Sequence, residues 1–281
     1  MTLTFKTEGR AMTDLQAGND DLHYASTWVA SVNLISHACV RAAVAQLQHD
    51  HPMLNADNAF DALHRVARRH GVKLRHLAAA VVNGGSTPKT APAPALSFSL
   101  RGRGEAPNPA EVLADLLTTA VELTSATGGL VQLKDALHGG LCIESHTGLD
   151  DDYRYHFSYV DDGTTAAGRA TARCEVTRVD DVTISPLHSF ADQTILATNG
   201  VRAELAVPMC DEDSRNHGAV TVTFGARHPH LDPFAVEMLH GHADSCAQWL
   251  RWYDAVVMPA LVAAVHDAAA AHTEDSAAAT A

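Results

Sequence analysis

From Asp21 to about Gln48 the chain has no Pro or Gly, and Ala25, Trp28, Val32, Ile35, Cys39 and Ala42 recur at spacings of three and four. That heptad-type stripe predicts one long helix suited to coiled-coil pairing, capped by Asp20 or Asp21 and ended by Pro52. Asn55 is placed to cap a second helix whose inner face carries Ala59, Leu63, Val66 and Ala67, with Phe60 beside them and Gly71 as the stop. A third helix over Lys73 to Val82 follows from Leu74, Leu77, Ala78 and Val81, and Asn83-Gly84-Gly85 closes it. The expected organisation is therefore a polar, flexible leader at 1–20 and a compact three-helix unit at 21–83.

Gly84, Gly85, Pro88, Pro92, Pro94, Gly102, Gly104 and Pro107 punctuate a linker over 84–107, in which Leu96–Leu100 is a short patch able to dock as a strand. The pattern then changes. Ala110–Thr124 reads as an amphipathic helix. Short β-type runs follow at Gly129–Leu133, Leu141–Thr147, Tyr155–Tyr159, Ala203–Met209 and Gly218–Gly225. A short helix is expected at Gly168–Ala172, a loop at Asp181–Phe190, and a final helix at Asp232–Tyr253 that continues to about Ala270 with a kink at Pro259. The predicted fold class is α+β: a helical unit, then an antiparallel-sheet domain flanked by helices at 108–262, then a tail at 263–281 with disordered last residues.

Charge divides the chain the same way. The formal net charge is −13, yet residues 36–83 carry a net +3 and residues 108–262 a net −13. A modest basic module beside an acidic one suits a polyanion partner, although a solvated helix face has the same composition. The five cysteines, Cys39, Cys142, Cys174, Cys210 and Cys246, are scattered and form no C-x-x-C, so neither a zinc finger nor a disulfide framework is expected. No apolar run approaches the roughly 20 residues of a bilayer span, and Met1–Lys6 lacks the apolar core of a signal peptide. These features favour a cytoplasmic protein without a membrane association.

Two resemblances build on these patterns. Val40–Gln48, Asn58–Ala67 and Lys73–Val82 align in order with three helical segments of the ANTAR domain, matching at Ala43, Leu47, Ala59, Phe60, Leu63, Ala67, Lys73, Leu74, Ala78, Val81 and Val82. The unit at about 25–83 thus resembles an RNA-binding module of transcription antiterminators, with Val44 standing where the family carries a lysine. The larger half resembles a GAF domain, a small-molecule-sensing fold. Ala166–Ala170, Val179–Val182, Pro186, Phe190, Gly200–Met209 and Gly218–Val222 carry that likeness across about 108–252. Together they imply a signal-responsive regulator that binds tandem RNA stem–loops and promotes transcription antitermination, acting as a homodimer. The alternative is a GAF sensor or scaffold whose helical unit only dimerises.

RNA binding needs cations for phosphates and small surfaces for splayed bases. Arg41, Arg65, Arg68, Arg69, Lys73 and Arg75 are the candidate cations, and Ala43 and Ala45 the small residues that let a base approach. The opening turn of the third helix adds free backbone N–H groups. In the GAF-like half a pocket between sheet and loops is expected, lined mainly from 153–190, for an unidentified small ligand. The H-x-H pairs His49/His51, His228/His230 and His240/His242 are weak metal candidates, and the last pair diverges if helical. Some GAF-fold proteins reduce methionine sulfoxide with cysteines, for which Cys142, Cys174 and Cys210 would have to meet in a pocket. Without G-x-S-x-G, H-E-x-x-H or a phosphate-binding loop, no enzyme, cofactor or metal is expected.

Overall fold

The computed structural model describes residues 37–84, 89–99, 107–160 and 163–278. The expected leader and the stripe up to Ile35 lie outside the described residues. The first helix enters them as α1 (residues 37–50), and it buries Cys39, Ala43 and Leu47. Ala42, expected on the stripe, is exposed. The buried face advances by fours because α1 packs on neighbouring helices of a globular core, where the i±4 ridge is the usual contact.

Helix α2 (Ala56–Arg69) starts where Asn55 accepts a hydrogen bond from the Asn58 backbone, and it ends at His70 with Gly71 left-handed at φ 61°. Helix α3 (Leu74–Val82) buries Leu77, Ala78, Ala79 and Val81. Within 84–107 the described part does dock, though not as a strand. Phe98 is buried, and Ser97 hydrogen-bonds His242 and Ser245.

Helix α4 (Pro109–Thr124) opens with a capping box between Asn108 and Glu111. The sheet comprises β1 (Gly128–Lys134), β2 (Leu141–Thr147), β3 (Tyr159–Val160), β4 (Thr177–Val179), β5 (Ala203–Cys210) and β6 (Asn216–Phe224). All pairings are antiparallel in the order β3-β2-β1-β6-β5-β4. Between strands lie α5 (Asp151–His156), α6 (Ala166–Arg173) and α7 (Phe190–Thr198). Of Tyr155–Tyr159, expected as a strand, Tyr155 and His156 end α5 and only Tyr159 enters a strand. Asp150 accepts from the Tyr153 backbone, and Asp151 and Asp152 fill the first turn, so the cap outweighs the alternating tyrosines. Strand β4 and helix α7 are additions to the predicted elements.

The period-two alternation of β5 and β6 sends residues to two cores. Leu205, Val207, Met209, Val220 and Val222 face α4 and α8 (Pro233–Trp252), while Ala206 and Ala219 face α5–α7. The first core is continuous with the helical unit, running from Cys39 through Leu63 and Leu77 to Val222. After α8 a π-helical turn, Tyr253–Val257, leads into α9 (Met258–Ala278). The irregularity precedes Pro259. A proline lacks an N–H and crowds the carbonyl four residues back, at Ala255, and the wider π turn absorbs both.

The last helix, expected to reach about Ala270, runs on to Ala278, so the unit assigned as a tail from 263 is part of α9, with Val265 and Ala269 fully buried and α9 packed on α2 and α3. Small alanines there serve close helix packing. The run Pro233–Thr273 is long and apolar enough to cross a membrane by length and composition alone, with a window hydropathy of 1.4. This corrects the expectation of no such run. Here α8 lies on the sheet and α9 on the N-terminal helices.

Candidate functional site

The eight residues expected to meet RNA separate into three settings. Arg41 and Ala45 are exposed on α1, whereas Ala43 has no exposed surface and packs within the helical core. A base cannot reach Ala43, because the small side chain serves the approach of α2 and α3 instead. On α2, Arg65, Arg68 and Arg69 are exposed and, with Asp61 and His64, line a shallow concavity of about 480 Å³. The i, i+3 and i+4 spacing puts these guanidinium groups on one face. Arg65 Nη2 also lies 2.6 Å from His272 Nε2 on α9.

Lys73 and Arg75 are in a different situation. Both are engaged by Glu144 of β2, whose side chain is 4% exposed. Lys73 Nζ stands 2.9 Å from Glu144 Oε2 and donates to the carbonyls of Ile143 and Glu144. Arg75 Nη2 and His76 Nε2 share Glu144 Oε1, the latter at 3.1 Å. All three cationic side chains flank the first turn of α3, so a carboxylate of the chain itself occupies the place expected for an anion. Burial pushes the Glu144 carboxyl up, but the hydrogen bond from His76 and the charges of His76, Arg75 and Lys73 outweigh it and hold the group down at about 2. Sequence reasoning missed Glu144, for which an acid directly after the apolar run Leu141–Ile143 was the available signal.

Behind this ion cluster lies a cavity of about 710 Å³. It opens where α3, the β1–β2 turn, the start of β6 and the α8–α9 path converge. Leu133, Leu137, Leu250, Tyr253 and Met258 form an apolar wall, and Arg75, His76, Asp135, His138, His217 and Asp254 supply polar groups. That volume falls within the range of small-molecule sites.

Comparison with known proteins decides the fold family. A model of the GAF domain matches residues 106–251, just over half of the chain. The chain belongs to the GAF domain family. No curated protein matches it. Among solved structures, the GAF-B domain of DevS from Mycobacterium smegmatis is similar at 22% identity, covering 51% of this chain and 94% of that one with a TM-score of 0.40. A GAF domain/HD domain protein from Geobacter sulfurreducens covers 51% and 92% at 16% identity and a TM-score of 0.43. A type II free methionine-R-sulfoxide reductase from Thermoplasma acidophilum covers 53% and 95% at 14% identity and a TM-score of 0.41.

Within this GAF domain the pocket expected from 153–190 is almost closed, at about 20 Å³ between β1, β6 and α5–α6. Large side chains and a polar network fill it. Tyr153 donates to Glu204 Oε1 at 3.3 Å, and His188 Nε2 lies 3.0 Å from Glu204 Oε2. Burial, and then the neighbouring Glu204, keep the Tyr153 phenol un-ionised to well above its ordinary value. His188 Nδ1 and Thr221 Oγ1 line this void without protein partners among the described residues, a setting that suits a single water.

The cysteines also depart from expectation. Cys174, at the C-terminus of α6, is disulfide-bonded to Cys210 at the end of β5. The pair is distant in sequence and brought together only by the packing of α6 on β5, which spacing could not show. Cys142 is buried on β2, across β1 and β6 from β5, so the three do not meet. Burial pushes the thiols of Cys39 and Cys142 up to about 11 and that of Cys246 up to about 12.

Among the described residues no group of three His, Cys, Asp or Glu side chains is placed to hold a metal. The H-x-H pairs take separate partners. His51 bonds His266 at 3.1 Å, and His242 bonds Ser97 while His240 turns toward Asp244.

Proposed function

We propose that this GAF-domain protein is a signal-responsive regulator that binds tandem RNA stem–loops through its N-terminal helices and promotes transcription antitermination. The observation that carries the reading is the exposed Arg65, Arg68 and Arg69 face of α2, set in a net-basic stretch of an acidic chain. Three guanidinium groups on a convex helix suit phosphate contacts, and Arg41 and Ala45 extend the same unit. The Glu144 cluster gives the sensor a direct hold on the RNA-facing unit, because Lys73 and Arg75 are bound by a strand of the GAF sheet. An RNA phosphate would compete with Glu144 for those cations. In this reading the protein works in the cytoplasm, as a homodimer, without catalysis.

The second reading, a GAF sensor whose helices serve only packing or dimerisation, is favoured by the burial of Ala43 and the shared core of helices and sheet. A direct test separates the two. Full-length protein is titrated onto a labelled RNA carrying two tandem hexanucleotide loops, at low and high salt, beside a scrambled-loop control. Loop-dependent binding that weakens with salt, and falls at least about tenfold in Arg68→Glu/Arg69→Glu, supports the regulator. Equal weak binding to both RNAs leaves the scaffold.

A further inference from the structure

Cys174 and Cys210 form a disulfide in a chain whose other cysteines, Cys39, Cys142 and Cys246, are free and buried. The bond joins the C-terminal end of α6 to the end of β5. Both of its residues are half-buried, so a small thiol can reach the bond, whereas the free thiols are enclosed.

The surroundings mark this bond as one made to open. The helix it holds has little else to hold it. Helix α6 buries Ala166, Ala167, Gly168 and Ala170, so its apolar seat consists of methyl groups, and β4, which follows it, is a strand of 3 residues at the sheet edge. Cys174 is also left-handed, at φ 49°, in the C-cap of α6, where glycine is the usual residue. A side chain in that conformation is strained, and the covalent bond supplies a constraint that keeps it there. Both sulfurs, finally, have neighbours suited to the reduced state. Asn216 Nδ2 lies 3.4 Å from Cys210 Sγ and 3.8 Å from Cys174 Sγ, and the Ser214 carbonyl lies 3.8 Å from Cys174 Sγ. An amide N–H steadies a departing thiolate, and a carbonyl accepts from the S–H that a disulfide lacks.

We infer that Cys174–Cys210 is a reversible thiol–disulfide exchange site, a latch on α6 that a cellular dithiol opens. A thiolate of the dithiol attacks one sulfur, which breaks the S–S bond, forms a mixed disulfide and releases the other cysteine as a thiolate that takes a proton from water. The second sulfur of the dithiol gives up its proton and displaces the remaining cysteine. The chain gains two electrons and two protons and the dithiol leaves as a disulfide; oxidised glutathione reverses the change and leaves as two glutathione thiols. The latch governs the roof of the small GAF void, because Thr165, Ala166 and Ala167 at the start of α6 line it together with His188 and Thr221. Releasing the far end of α6 lets water reach the Tyr153–Glu204–His188 network beneath. Disulfides in a reducing cytoplasm are mostly transient or redox-sensing, so the inference shares the cytoplasmic setting of the proposed function but not its RNA.

The full chain tests it in the absence of RNA, so failure here and failure of the RNA titration are read separately. After dithiothreitol under native conditions and alkylation with iodoacetamide, peptide mapping should find label on Cys174 and Cys210 and not on Cys39, Cys142 or Cys246. Oxidised glutathione should restore the bond. Hydrogen exchange over residues 166–179 should be at least about tenfold faster in the reduced protein, with α8 unchanged. Cys174→Ser and Cys210→Ser, checked for folding by circular dichroism, should show the fast exchange with or without dithiothreitol. A bond that yields only after denaturation overturns the inference. So does equal exchange over 166–179 in oxidised and reduced wild type, a comparison that needs no variant to fold.

Discussion

Glu144 is buried under Lys73, Arg75 and His76, and its lowered carboxyl makes the contact pH-dependent with a definite sign. A carboxyl held at about 2 when folded, against an ordinary 4.5, contributes stability above pH 4.5 that is lost as pH falls from there toward 2. The shift corresponds to about 3 kcal/mol. Urea denaturation at pH 7 and pH 3.5 should therefore show wild type losing more stability than Glu144→Gln, which has no carboxyl to protonate. Equal losses would disprove the assignment. At pH 7, Glu144→Gln should itself be less stable by about 2–4 kcal/mol, because it strands two cations at the interface. Nothing in sequence spacing pairs residue 144 with residues 73–76. The candidates Lys73 and Arg75 were legible as cations, but their partner depends on a helix meeting a strand some 70 residues away. Ala43 illustrates the same limit, since a small residue on a helix reads equally as a door for a ligand and as a seat for a neighbouring helix.

At the level of elements, local signals carried furthest where caps and periods agreed. Helix α2 begins at Asn55, the cap the sequence predicts, and β2 spans the predicted Leu141–Thr147. Where two signals compete the cap prevails, as Asp150 does over the tyrosines of α5. Helix α7 stayed hidden because its buried residues, Asp192 and Leu196, present no long apolar stripe. Strand β6 has a stricter requirement. At Gly218 a Cβ would fall inside the backbone carbonyl of Gln132, on the neighbouring β1. No rotation of a side chain relieves a clash with backbone, so Gly218→Ala should lower stability by about 2–4 kcal/mol in urea denaturation. Gly241→Ala, on α8 with open space around it and no left-handed backbone, should cost far less. Similar costs at the two positions would show that β1 and β6 are not so closely apposed.

Taken whole, the molecule shares one core between parts that the sequence presents as separate. The charge contrast and the Gly/Pro-rich stretch at 84–107 mark two regions, yet Cys39, Leu63, Leu77, Val112, Val222 and Val265 belong to a single buried cluster. Composition records what each stretch exposes, whereas a shared core depends on contacts between stretches. Unfolding should accordingly be one cooperative event. Far-ultraviolet and near-ultraviolet circular dichroism should give superimposable melting curves. Two resolved transitions would mean that the helices and the GAF domain are held together only by their ion pairs.

Helix α9 gives this unity a direction in time. The N-terminal helices pack on α9, and α9 follows every strand of the sheet in the chain. As the protein leaves the ribosome, α1–α3 are made first but find their last wall only after the whole GAF domain has emerged. The arginine-bearing face of α2 would then reach its final form only on chains whose GAF domain has already been synthesised, so an incomplete product would lack that finished surface.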